Sequence, residues 1–134
     1  MLEAERLACF YLTGLIWTIQ LVHYPSFRFI SEERFQEFHR FHSNRITWVV
    51  APVMLVELFT AALVLREQAT LASSLSLLSI VLIWALTAFV SVPLHSKLSK
   101  GKNSHLIRQL VLTNGFRTVL WTLRSLAFIA AMFF

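Results

Sequence analysis

From Leu71 to Leu94 the chain contains no Asp, Glu, Lys, Arg or His. As a helix this run is long enough to cross a bilayer core of ~30 Å, which takes about 20 residues; it is too long for a strand and lacks strand alternation. In hydrocarbon every backbone group must find its partner within the segment, which a helix does by itself. Three further runs share the pattern. Leu7 to about His23 is interrupted by Thr13, Thr18 and Gln20. Ile46–Leu65 carries Glu57 as its one charge, and Leu106–Phe134 carries Arg108, Gln109, Asn114, Arg117 and Arg124. The chain is 57% hydrophobic and 14% charged, against roughly 45–50% and about 25% for soluble domains. That excludes a disordered chain and an ordinary soluble enzyme. A single cysteine, Cys9, rules out an internal disulfide or a cysteine-rich metal site. The expectation is an all-α integral membrane four-helix bundle, one domain over residues 1–134, with helices at about 7–24, 46–65, 71–94 and 106–134.

The net charge of +5 and pI near 10.2 would suggest nucleic acid in a soluble protein. Beside apolar spans, basic residues instead mark the cytoplasmic side, and no nucleic-acid partner is expected. Loops 25–45 and 95–105 share one side and hold Arg28, Arg34, Arg40, Arg45, Lys97, Lys100 and Lys102. The other side has Arg6 and Arg66. This asymmetry places the two longer loops in the cytoplasm and both termini outside a bacterial inner membrane. The leader Met1–Arg6 carries two acids against one base, unlike a secretory n-region, so the first run reads as a retained helix. Phe133 and Phe134 read as interfacial anchors, and the serines from Ser73 to Ser79 as small packing residues.

Residues 31–44 form a separate element. Ser31 is a suitable N-cap, and Glu32 and Glu33 complement the positive end of a helix dipole. At ~100° per residue, Phe35, Phe38, His39 and His42 share a face opposite Glu33, Glu37, Arg40 and Asn44. The spacing predicts an amphipathic interfacial helix between the first two spans, with two histidines on its apolar face.

All five histidines fall on that same side of the membrane. His105, among Lys and Ser, reads as exposed. His23, His39, His42 and His95 read as candidate metal ligands, since imidazole suits Fe, Cu, Zn and Ni and an i, i+3 pair can present two nitrogens to one centre. His23 and His95 also serve as candidate axial ligands of a b-type haem; the absence of Cys-x-x-Cys-His excludes the covalent c-type. Iron or copper fits redox chemistry better than zinc.

Polar stripes at helical spacing run along three of the helices. They are Thr13, Trp17, Gln20 and His23 or Tyr24; Trp84, Thr87, Ser91 and His95; and Asn114, Arg117, Trp121 and Arg124 or Ser125. Glu57 and Arg117 sit at similar depths in their spans, and an isolated charge there costs at least ~2.5–3.5 kcal/mol. The expectation is a Glu57–Arg117 salt bridge with Asn114 nearby, flooring a polar cavity whose mouth is the histidine cluster. Glu57, Asn114 and Arg117 are therefore the candidate catalytic residues. Pro25 and Pro93, each two residues from a histidine, are expected to break or perturb their helices, and Pro52 to kink the second span.

The segments Leu21-Val-His-Tyr-Pro-Ser-Phe27, Phe38-His-x-x-His42, Pro52 with Glu57, Pro93-Leu-His95 and Asn114-x-x-Arg117-x-x-x-Trp121 resemble small bacterial four-helix membrane proteins. The last pattern resembles, over part of helix four, the anthrone-oxygenase-like family, which implies oxygenation of an aromatic substrate. Three functions stay open at this point. The leading one is a membrane oxidoreductase with a His-ligated metal or haem acting on a small hydrophobic substrate. The others are an accessory subunit of a larger membrane complex and a proton-coupled transporter acting as a homo-oligomer.

Overall fold

A computed structural model describes residues 1–133; Phe134, the last residue of the fourth run and half of the Phe133–Phe134 anchor, lies outside the described residues. Among them all secondary structure is helical. Four helices result, α1 over Leu2–Phe29, α2 over Glu32–Glu67, α3 over Leu71–Leu98 and α4 over Ser104–Phe133, each long and apolar enough to cross a membrane. Each packs on two neighbours in the cyclic order α1–α2–α3–α4–α1. Trp48 and Phe89 are each 80% exposed on the outer faces, whereas Glu57 and Asn114 inside are 0% exposed. Apolar outside and polar inside is the distribution of a chain whose solvent is lipid.

The helices run longer than the apolar runs alone, α1 to Phe29 and α3 to Leu98, and one expected boundary is absent. The amphipathic segment is not a separate helix: it continues into the second span as one α2, with Ser31 in extended conformation as N-cap. Nothing between Asn44 and Ile46 breaks a helix, so the propensity of both halves propagates through. Pro52 leaves α2 unbroken, inside one continuous helix.

Pro25 and Pro93 do not end their helices either. A proline ring clashes with the carbonyl four residues earlier and offers no N–H to it. Those carbonyls belong to Leu21 and Phe89. Each is the central residue of a π-helical segment, Ile19–His23 and Thr87–Ser91. The wider turn absorbs the proline and the helix resumes over Tyr24–Ser26 and Val92–Leu98. α1 then closes with a 3₁₀ turn over Phe27–Phe29. Such single-turn π segments occur frequently at functional sites, and here both precede a proline beside a histidine.

α3 starts at a capping box, in which Thr70 Oγ1 accepts from the Ser73 N–H at 3.1 Å and Ser73 Oγ accepts from the Thr70 N–H at 3.0 Å. The α3–α4 turn places Gly101 at φ 150°, a conformation open to glycine without strain. Lys102 then donates to the carbonyls of Arg28 and Ile30 at 2.8 and 2.6 Å, tying this turn to the end of α1.

Candidate functional site

The face of α2 that carries Phe35, His39 and His42 is buried, with Phe38 half-buried, and Glu33, Glu37, Arg40 and Asn44 are exposed. That arrangement follows the expected helical periodicity. The end of α1 delivers His23, Tyr24 and Phe27, and the end of α3 delivers His95. The four candidate histidines therefore meet at one end of the bundle, and His105 stays exposed.

The rings meet in pairs. His23 Nε2 hydrogen-bonds His42 Nδ1, with ring centroids 4.3 Å apart. His39 Nε2 lies 3.0 Å from His95 Nδ1, and Tyr24 Oη lies 3.0 Å from His95 Nε2. The His42 and His95 centroids are 5.6 Å apart, which brings the pairs into contact. His39 and His42, expected to share one centre, have centroids 6.4 Å apart and use different partners. Among the described residues no group of three or more His, Cys, Asp or Glu side chains is arranged to hold a metal ion. Two ring nitrogens, His39 Nδ1 and His42 Nε2, are buried without a hydrogen-bond partner. Such orphans are rare in folded proteins, because a buried polar atom forfeits its hydration.

Phenylalanines enclose the cluster. Phe27, fully buried, stands edge-on to His42 and His39 at centroid distances of 5.1 and 6.1 Å, and Phe35 stacks on His39 at 5.9 Å. His95 borders two hollows. One is an open groove of about 540 Å³ between α2 and the end of α3, lined also by His39, Ser43 and Ser96. The other is a half-open cavity of about 210 Å³ reaching between the helices, lined by Tyr24, Trp84, Thr87, Arg117 and Trp121 among aliphatic side chains. Ile46, Thr47, Val92 and His95 border both.

Deeper in the bundle the polar stripes converge as expected, with one change of partner. Arg117 Nη2 donates to Asn114 Oδ1 and Nη1 to Thr87 Oγ1 at 3.0 Å, while Asn114 Nδ2 donates to Gln20 Oε1 at 2.8 Å. This joins α1, α3 and α4. The expected Glu57–Arg117 salt bridge does not form; Glu57 pairs with Arg124. Arg124 lies two turns beyond Arg117 on the same face of α4, where it reaches both Glu57 and a second carboxylate. Its Nη2 donates to Glu5 Oε1 at 3.2 Å and Ser76 Oγ at 3.1 Å, and Ser76 Oγ donates to Glu5 Oε1 at 2.6 Å. Trp121 Nε1 donates to Glu57 Oε2 at 3.1 Å. Glu57 is consequently absent from the cavity lining that holds Arg117.

Glu5 and Ser76 meet in this buried network, where the sequence suggests only a polar leader and a small packing serine. Glu5, only 1% exposed, was read as part of a polar leader, yet it continues the buried stripe of Ala8, Cys9, Leu12 and Ile16 at helical spacing. That periodicity was the available signal.

No protein-family model, curated protein or solved structure matches this chain.

Proposed function

We propose that the protein is a membrane oxidoreductase in which His23, His39, His42 and His95 take up a transition metal, iron or copper, beside a cavity for a small apolar substrate. The observation that carries this reading is the pair of orphaned ring nitrogens, His39 Nδ1 and His42 Nε2, buried in a cluster of four imidazoles from three helices. Neutral imidazole nitrogens are ligands for borderline metals. Binding requires the ring pairs to exchange their mutual hydrogen bonds for the metal. Of the two hollows that His95 borders, the cavity of about 210 Å³ is below the about 300–1,000 Å³ of ordinary ligand pockets, so a haem would occupy the open groove of about 540 Å³ beside His39 and His95.

The residues have distinct duties in this reading. Tyr24 Oη holds the His95 ring through Nε2, an outer partner of the kind that orients a metal ligand. Arg117 stands in the cavity wall on the substrate side, and Asn114 holds its guanidinium from behind. Glu57, bound by Arg124 and Trp121, acts at a distance from the cluster, as a fixed charge.

A second reading is favoured by the ring pairing itself. Imidazoles bonded nitrogen to nitrogen and ending on a tyrosine hydroxyl can pass a proton along the chain without any metal. Metal analysis and an absorption spectrum of the protein, purified in detergent after metal-replete expression, separate the two. Stoichiometric iron or copper, lost in a His39→Ala/His42→Ala variant that keeps its helical circular dichroism, supports the metal site. A colourless, metal-free wild type refutes it and leaves the relay. The basic loops support a site facing the cytoplasm with both termini outside. A Lys102→Cys variant then reacts with an impermeant maleimide only after spheroplasts are lysed.

A further inference from the structure

Arg117 is 5% exposed and has no carboxylate partner. The ion pairs among the described residues are Arg6–Glu3, Arg124–Glu5 and Arg124–Glu57. Its hydrogen-bond partners are the neutral oxygens of Asn114 and Thr87, the Tyr24 hydroxyl stands against the same guanidinium, and its Nε is buried and unpartnered. Trp84 supplies a second orphan donor, Nε1, also buried without a partner. Both side chains line the half-open cavity, and most of the rest of that wall is apolar, including Leu12, Ile16, Ile19, Val50 and Met54. The neighbouring arginine on the same helix shows the contrast, since Arg124 has two carboxylates to itself.

A buried guanidinium with no counter-ion in the wall of a largely apolar cavity, with a tryptophan whose indole N–H is unpartnered in the same wall, is half of a recognition pair. Guanidinium binds planar oxyanions through parallel N–H donors. The apolar walls disfavour a bare inorganic anion, whose hydration they cannot replace. A volume of about 210 Å³ matches a single ring. We infer that the cavity binds a small apolar carboxylate, its head on Arg117 and the Trp84 N–H and its body against Leu12, Ile16 and Met54. The inference rests on the proposed function only in naming that site's substrate class; the cavity and Arg117 exist whatever the histidines hold. His95, shared by the cavity and the open groove, sits where such a molecule would meet the histidine cluster.

The test uses the full chain in neutral detergent, metal-stripped and as purified, titrated with benzoate, benzamide and sodium phosphate by calorimetry and by fluorescence of the cavity tryptophans. Benzoate is expected to bind at least tenfold more tightly than its uncharged isostere benzamide, and phosphate not to bind. Arg117→Gln should abolish the tenfold preference, and Arg117→Lys should retain part of it. Equal affinity for benzoate and benzamide in the wild type, no benzoate binding, phosphate binding as tight as benzoate, or an undiminished preference in Arg117→Gln each overturns the inference. The wild-type comparisons need no variant to fold. The His39→Ala/His42→Ala variant, expected to keep benzoate binding while losing any metal, separates failure of this inference from failure of the metal reading.

Discussion

Replacing Arg124 by Gln removes the one cation that holds two buried carboxylates. Glu5 and Glu57 are 1% and 0% exposed, and Arg124 is 6% exposed, so water cannot take over its role. Breaking a buried pair by deleting one partner costs about 3–5 kcal/mol. The loss does not double for two carboxylates, because Glu57 keeps the Trp121 indole and Glu5 keeps the Ser76 hydroxyl, and hydrogen bonds to charged groups are worth about 1.5–3 kcal/mol each. Arg117→Gln behaves differently. It loses bonds to Asn114 and Thr87 but also removes an uncompensated charge, whose placement in the membrane costs at least ~2.5–3.5 kcal/mol. The two effects offset, and the net change is expected to stay within about 1 kcal/mol. The assay is unfolding by SDS in mixed micelles, followed by near-ultraviolet circular dichroism, arranged as two double-mutant cycles. Glu57→Gln with Arg124→Gln should show a coupling of about 2–3 kcal/mol, and Glu57→Gln with Arg117→Gln less than about 0.5 kcal/mol. A larger coupling to Arg117 than to Arg124 would refute the charge pairing and restore the partner expected from helix depth alone.

Two smaller tests address other parts of the bundle. Cys9 is fully buried against Ser125, so a membrane-permeant maleimide should leave the folded protein unlabelled and modify it stoichiometrically across the SDS transition; rapid labelling of native protein would contradict the α1–α4 packing. Thr70→Ala removes the capping box at the start of α3 and should destabilise by about 0.5–2 kcal/mol, measured by the same unfolding curve, with Thr70→Ser restoring most of the loss.

The spans were readable because the third run has no charge and the others few, and lipid leaves a long apolar run no alternative to a helix. The burial of His39 and His42 was readable too, since period 3.6 placed them with Phe35 and opposite Arg40. Ion-pair choice was not. Residue counting along each span puts Glu57 level with Arg117, but both arginines share one face of α4, and which of them meets Glu57 depends on how far α2 and α4 are staggered along their axes. That stagger also lets Arg124 satisfy a second acid, Glu5, which lies on α1 and is invisible from α2 and α4 alone. Pro93 perturbs its helix as expected, through the π segment before it, but Pro25 does not break α1. The rule that proline breaks a helix counts the lost N–H and the clash at residue i−4; it does not count a π turn centred on that residue, which removes the clash while the helix goes on.

The two π segments also account for how the histidines come to meet. A π turn inserts one residue into the helical repeat, which rotates everything beyond it by ~100° relative to an unbroken α-helix. In α1 the insertion at Ile19–His23 brings Tyr24 and Phe27 to the interior next to His23. In α3 the insertion at Thr87–Ser91 brings His95 round to Tyr24 and His39. The same segments lie beside the polar centre, since Gln20 holds Asn114 and Thr87 holds Arg117. Each proline-induced irregularity thus positions a residue of the Arg117 cavity at its start and a residue of the histidine cluster at its end or just beyond it. α4, which carries Arg117 and Arg124 on one face, joins this arrangement to the buried acids Glu57 and Glu5.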